Sequence, residues 1–267
     1  MPPTLQFRHL TIDDLGITYG VVAPSPSPLA TLVWLHGLGG ASTIQFAPSA
    51  ARPELAGVTS ILVDLPGFGR SAAADGCTID EHAAIVAEVI RRFAEPPVVL
   101  FGHSMGGSIA ILAAQAMGDS IARLVVAEPN LAAKSGPLST RIAAMPEGEW
   151  LDRGYDALIR TVRMGVRGDP STATFLQCLE MASPRAMHRA ARSLVTPRSP
   201  SIGAIFDGMA LPRSCIVGGS SDPGTRTEGV PVFVVPNAGH DMMAGNPDGF
   251  VAALVAAIGP LMPPRTC

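Results

Sequence analysis

Val98–Gln115 reads VVLFGHSMGGSIAILAAQ, with Ser104 held between Gly102 and the pair Gly106-Gly107. A structural turn needs one glycine, so three around a serine indicate a backbone held tight and a hydroxyl held out. The spacing Gly102-His103-Ser104-Met105-Gly106 is G-x-S-x-G between an apolar run and a helix-like segment. That context makes it a strand-to-helix nucleophile turn. The chemistry it suits is attack on an electrophilic carbon, followed by charge capture at the helix N-terminus, where amide N–H groups face outward. A serine hydroxyl is a poor nucleophile near neutral pH and needs an adjacent base. His240, in Gly239-His240-Asp241 near the last strand, is the expected base. His36-Gly37-Leu38-Gly39-Gly40 ends an earlier strand, and the Leu38 amide is expected to join that of Met105 in holding an oxyanion. His9, His82 and His188 read as solvated or packed, and His103 as directed away from the site.

A base of this kind needs an acid to orient it. Glu128 in LVVAEPN and Asp222 in GGSSDP both lie between Ser104 and His240, and chain order permits either. A carboxylate at the end of a buried apolar strand is costly without a hydrogen-bonding or charged partner, which tilts the reading toward Glu128 and leaves Asp222 open.

The elements that position these groups follow from pattern. LQFRHLTI and GITYGVVA alternate loosely, as an antiparallel hairpin would. ATLVWLHG and VTSILVDLPGFG are continuous apolar runs, as strands buried on both faces would be, and PPVVLFG, IARLVVAEPN, SCIVGG and VPVFVVP read as further strands. TIDEHAAIVAEVIRRF has helical spacing, with Thr78 or Asp80 as N-cap and arginines at its C-terminal end. From about 131 to 206 the sequence holds helix-like pieces separated by prolines and glycines, and no good strand. Strands alternating with helices specify a parallel α/β sheet. A helical block between two of its strands specifies an inserted cap, placed at 130–208 between core segments 1–129 and 209–267.

HGLGG, DLPGFGRS, GHSMGG and VPNAGH, in that order and with the helical block in place, resemble the alpha/beta-hydrolase family over nearly the whole chain. The resemblance implies an eight-stranded, mostly parallel sheet and a serine–histidine–acid triad, with no single substrate. In it DLPGFGRS is a structural or rim loop. Asp222 stands where the family most often keeps its acid. The segment from Asp222 to Val230 is short, however, with Pro223, Gly224 and Gly229 and no room for the usual helix. AEPNL resembles members that take the acid after the earlier strand, zearalenone-type lactonases among them. Serine at the turn argues against the epoxide-opening and dehalogenating members, which use aspartate. The expected activity is hydrolysis of an ester or lactone of small to medium size through an acyl-enzyme, with no metal and no organic cofactor. Carbon–carbon bond hydrolysis, acyl transfer and a slow-turnover receptor are the alternatives. Trp150 and Phe175, in the Met-, Leu- and Ala-rich cap, are the expected substrate contacts.

Composition bounds the partners. With 15% charged residues, 47% hydrophobic residues and a net charge of −3 over 267 residues, the chain has a large core and no basic patch for nucleic acid. The first residues lack a basic segment followed by an apolar one, and no uninterrupted apolar run reaches the roughly 18 residues of a membrane span. Cys77, Cys178, Cys215 and Cys267 form no C-x-x-C pair and read as free thiols of a reducing compartment. The expectation is a cytoplasmic enzyme of a small-molecule substrate, as a monomer or a homodimer.

Overall fold

Five of the apolar runs become the middle of one eight-stranded sheet, ordered β1-β2-β4-β3-β5-β6-β7-β8, and the sixth, VPVFVVP, becomes its partly exposed edge. A computed structural model of the chain describes residues 5–12, 15–22, 28–71, 75–133, 136–221 and 229–260. The strands are β1 (Leu5–Ile12), β2 (Leu15–Val22), β3 (Ala30–Leu35), β4 (Val58–Val63), β5 (Val98–His103), β6 (Arg123–Ala127), β7 (Arg213–Gly218) and β8 (Val232–Val235). β1 and β2 pair antiparallel, with Leu5 opposite Val22, and β2 runs antiparallel to β4. Every other pairing is parallel.

Each central strand divides its residues between two cores, as the two-residue period requires. Val33 and Leu35 of β3, with Leu100 of β5, join one apolar cluster. Leu32, Trp34, Val99 and Phe101 join the other. In the second cluster Trp34 stacks on Phe46 at 5.4 Å, and Phe101 meets Trp34, Phe46 and Phe250 edge-on at 5.2, 5.4 and 5.7 Å. Burying side chains of this kind stabilises the fold by about 1.5–3 kcal/mol each.

After β3 come two short helices, α1 (Ser42–Gln45) and α2 (Ala47–Ala50). α3 (Ile79–Phe93) follows β4. Thr78 caps it through its hydroxyl, and Glu81 reaches back to the Thr78 amide, so Thr78 rather than Asp80 is the N-cap. α4 (Met105–Met117) follows β5.

Between β6 and β7 the described elements are all helical. They are α5 (Pro137–Ala144), α6 (Glu147–Glu149) running into a wide turn at Trp150–Gly154, α7 (Tyr155–Gly165), α8 (Pro170–Leu179), α9 (Pro184–Val195) and α10 (Ile202–Asp207). Pro137, Pro170 and Pro184 each open a helix, where the missing N–H costs nothing. Asp169, Ser183 and Ser201 cap the helices that follow them. The same prolines that interrupt the sequence pattern therefore define where α5, α8 and α9 begin. After β8 come α11 (Met242–Gly245) and α12 (Pro247–Ile258), the latter capped by Asn246.

This helical block is tied to the core by the loop after β4. The Ser183 amide donates to the Gly67 carbonyl at 2.8 Å. Asp64 anchors that loop, accepting from the Thr43 amide at 3.0 Å, the Thr43 hydroxyl at 2.8 Å and the Arg70 amide at 3.0 Å. His36 braces it too, its Nε2 accepting from the Leu65 amide at 3.0 Å while Nδ1–H donates to the Gly37 carbonyl. DLPGFGRS thus does structural work. No helix among the described residues is long and apolar enough to cross a membrane.

Candidate active site

β3 connects outward to β4, whereas β5 connects through α4 to β6 on the other side of β3. The order therefore reverses at the β3/β5 boundary, and a crevice opens beyond their carboxyl ends. Gly37-Leu38 leaves β3 there, and Ser104 leaves β5. Ser104 has φ 53° and ψ −120°, in a region that costs a non-glycine residue about 1–3 kcal/mol. The turn holds because its neighbours are glycines. A Cβ on Gly102 would lie 2.2 Å from the Gly106 carbonyl oxygen, and one on Gly106 would lie 2.4 Å from that of Leu35. The Ser104 amide is fixed by the Ala127 carbonyl at 2.8 Å. Met105 opens α4, where helix geometry leaves the first amides without intrahelical acceptors.

Glu128 is the second strained residue. It follows β6 with φ 44°, and with Ser104 and Asn237 it completes the positive-φ residues other than glycine among those described. Two of those three lie in one cavity of about 730 Å³, whose wall also includes Gly37, Leu38, His103, Phe175, Ser221 and His240. The Glu128 side chain is 8% exposed. One carboxylate oxygen accepts from the Gly218 amide at 2.9 Å, and the other from His240 Nδ1 at 2.6 Å. The Ser221 hydroxyl donates to the same carboxylate. Burial alone would raise the pKa of this group, but the donors from His240, Ser221 and Gly218 outweigh it and hold the carboxyl down at about 2. Glu128 is therefore an anion over the physiological range.

His240 has the complementary perturbation. Desolvation disfavours its cation, yet the hydrogen bond to Glu128, with the charges of Asp241 and Glu128, leaves its pKa above the usual 6.5. The side chain is 51% exposed, opening onto the cavity. Because Nδ1–H points at Glu128, the lone pair of neutral His240 is on Nε2. The loop bearing His240 comes this close because β7 ends in glycine. A Cβ on Gly218 would lie 2.5 Å from both the Ala238 and the Gly239 carbonyl oxygens.

The structure brings Ser104, His240, Glu128, Leu38 and Phe175 to one cavity and places Met105 directly behind the serine. Asp222 lies outside the described residues. Trp150 is not in the cavity wall, contrary to expectation. It is 3% exposed, its indole N–H donates to the Pro184 carbonyl at 2.7 Å, and its ring meets Tyr155 edge-on at 5.8 Å. It therefore belongs to the core of the helical block. His103 also departs from the reading. Instead of pointing away, its ring lies 4.6 Å from that of His240, with Nε2–H donating to the His240 carbonyl at 2.9 Å. Burial and the neighbouring His240 lower its pKa to about 3, so it stays neutral. His188 is packed and bonded to the Met145 carbonyl, and His82 is fully buried. Ser221 escaped the sequence reading. Its only signal was its place beside Asp222 in GGSSDP, where attention falls on the acid.

A serine on a strand-to-helix turn, sharing one cavity with a histidine–carboxylate pair at the carboxyl ends of a parallel sheet, defines a class of hydrolytic enzymes. The model of the alpha/beta hydrolase family matches residues 32–253, and the chain belongs to that family of enzymes. Over 246 residues it is 26% identical to 2-succinyl-6-hydroxy-2,4-cyclohexadiene-1-carboxylate synthase of Serratia proteamaculans, covering 84% of this chain and 91% of that protein. It is 32% identical to lipase LipV of Mycobacterium tuberculosis over 120 residues, which span 45% of each protein. Among solved structures, the N-acyl homoserine lactonase AidH bound to N-butanoyl homoserine superposes with a TM-score of 0.76 at 20% identity, covering 98% of this chain and 99% of that one. The esterase EaEST of Exiguobacterium antarcticum gives 0.76 at 20% identity, covering 92% and 96%. At such identities the structures speak for the fold.

Proposed function

We propose that this protein is a serine hydrolase that cleaves carboxylic esters or lactones of small to medium, largely apolar substrates through an acyl-enzyme. The observation that carries the reading is the 2.6 Å pair between His240 Nδ1 and the Glu128 carboxylate, set in the cavity that Ser104 enters. In the proposed cycle Nε2 of His240 takes the Ser104 proton as Oγ attacks the carbonyl carbon. Glu128 stabilises the resulting imidazolium and holds its tautomer. The Leu38 and Met105 amides receive the oxyanion, each worth about 2.7–4 kcal/mol. The imidazolium then protonates the departing alcohol. Water attacks the acyl-enzyme by the same route in reverse, with His240 again as base.

The helical residues 130–208 serve as a lid, and Leu131, Leu138 and Phe175 supply its apolar underside. The described cavity wall holds the carboxylates of Glu128 and Asp241 and neither Lys nor Arg, which favours uncharged substrates over anionic ones. This separates the reading from that of the carboxylate-forming synthase relative. The working site is the cytoplasm, where the buried thiols of Cys77, Cys178 and Cys215 stay reduced.

The test is turnover of p-nitrophenyl butyrate, a neutral acyl lactone and a monoanionic succinyl ester. Hydrolysis of the first two, with the anion at least tenfold slower in kcat/KM, supports the reading. Turnover of none of them, or preference for the anion, rejects it.

A further inference from the structure

A second, smaller cavity of about 150 Å³ lies on the far side of one wall of the first. The two share Asn130, Leu131, Ala132 and Leu194, so this strip is a partition between them. Beyond it the small cavity is bounded by Ile79 at the start of α3, by the end of α9 and the residues after it from Ser193 to Arg198, and by Ser201 and Ile202 at the start of α10, and it is partly open to solvent along the exposed Ala133, Thr196 and Pro197. Its polar side chains are already engaged. Ser193 Oγ accepts from the Ile79 amide at 3.1 Å, Arg198 pairs with Asp80 at 2.6 Å, and Ser201 Oγ caps α10. What remains is chiefly the hydrocarbon of Ile79, Leu131, Leu194 and Ile202. A cavity of roughly this size with an apolar lining holds a benzene-sized group.

The partition is side chain more than backbone. Leu194 belongs to the apolar cluster and is 8% exposed, with Leu131 packed against that cluster. Behind them the backbone is pinned, since the Leu131 carbonyl accepts from the Gly203 amide at 2.8 Å and the Asn130 carbonyl from Ser108 Oγ at 2.8 Å. A rotamer change at Leu194 is therefore the cheapest way to join the cavities. α10 and the strip would stay in place.

We infer that the small cavity is a subsite for the hydrocarbon end of the ester substrate, with Leu194 as the residue that sets how long that end can be. The inference rests on the ester reading of Ser104. In it a short chain is held wholly in the large cavity, and a longer one displaces Leu194 and seats its last few carbons against Ile79 and Ile202.

The experiment uses two homologous series, p-nitrophenyl esters of four to ten acyl carbons and alkyl acetates of four to ten alcohol carbons. They distinguish which end of the substrate enters. Leu194→Ala should raise kcat/KM for the eight- and ten-carbon members of one series about tenfold relative to the four-carbon member. Ile202→Phe, which narrows only the small cavity, should lower the same ratio about tenfold, the effect expected when a hydrophobic pocket gains or loses room for a methylene. Parallel length profiles for the wild type and both variants in both series overturn the inference while leaving the ester reading intact. Binding of methyl butyrate and methyl decanoate to Ser104→Ala protein, alone and combined with Ile202→Phe, gives a readout without turnover. Weakened decanoate binding with unchanged butyrate binding supports the subsite, and equal affinities for both esters in the two proteins, together with parallel length profiles in the alkyl acetate series, refute it. A wild type that turns over no ester in either series, but binds decanoate in this way, rejects the ester reading and keeps the subsite.

Discussion

Replacing Glu128 by Gln keeps the shape of the side chain and removes its charge. In the folded protein the Glu128 carboxylate accepts from His240 Nδ1, the Gly218 amide and the Ser221 hydroxyl. A glutamine has one acceptor oxygen and an NH2 that donates. Whichever way it is turned, the NH2 faces either the Gly218 N–H or the His240 Nδ1–H. If it faces Gly218, a buried amide N–H loses its acceptor, at about 1–3 kcal/mol. If it faces His240, the ring must adopt the other tautomer, which puts a proton on Nε2 where a lone pair is required. Either way the imidazolium loses its counter-charge. The expected loss in kcat on p-nitrophenyl butyrate is about 10²–10⁴-fold, with KM changed much less. Asp222→Asn is the matched comparison and should stay within a few-fold of wild type. Stopped-flow or steady-state release of p-nitrophenol reads both, and the thermal midpoint of each variant guards against global unfolding. A large loss in Asp222→Asn with near-normal Glu128→Gln would refute the assignment and return the acid to the family's usual strand.

The pH profile should carry the same signature. His240 must be neutral to act as base, so the acid limb of kcat/KM should lie above the ordinary 6.5 in the wild type and move to lower pH in Glu128→Gln. Stability has a separate window. The Glu128 carboxyl is depressed from 4.5 to about 2, so its contribution, at most about 3 kcal/mol, is present above pH 4.5 and lost as pH falls toward 2, as acid titration of the thermal midpoint would show. Trp150→Phe strands the Pro184 carbonyl and should cost about 1–3 kcal/mol in urea unfolding without altering substrate preference, whereas Phe175→Ala should change the ratio of kcat/KM among acyl chains. Gly106→Ala drives a methyl group into the Leu35 and His36 carbonyls, and it should abolish both activity and soluble expression, while Gly148→Ala, in α6 with open space around it, should leave activity near wild type.

Much of this architecture is written locally. The six apolar runs and the N-terminal hairpin each announce themselves by period and length, and the Thr78–Glu81 capping box marks the start of α3. α1, α2 and α11 have four residues apiece, too few to show a helical period, and they were not foreseen. Ser104 was legible because sterics leave one way to pass that turn. Glu128 was half legible, since its cost as a buried carboxylate was apparent but its positive φ was not. His103 and Ser221 were misread or missed because their partners are 137 residues away or belong to a side chain on another strand. Trp150 and Phe175 looked alike in the sequence. A helix with apolar residues on much of its surface reveals which ones are buried only when its neighbours are known, and here α9 covers Trp150 while the cavity keeps Phe175.

The central claim is that Ser104 attacks with help from the His240–Glu128 pair. The most direct measurement is the intact mass and peptide map of the protein after brief exposure to a fluorophosphonate. The account predicts one adduct, on the peptide containing Ser104, absent from Ser104→Ala and formed at least a hundredfold more slowly in His240→Ala and Glu128→Gln. An adduct on another residue, or labelling of Ser104 at an undiminished rate in both of those variants, would contradict it.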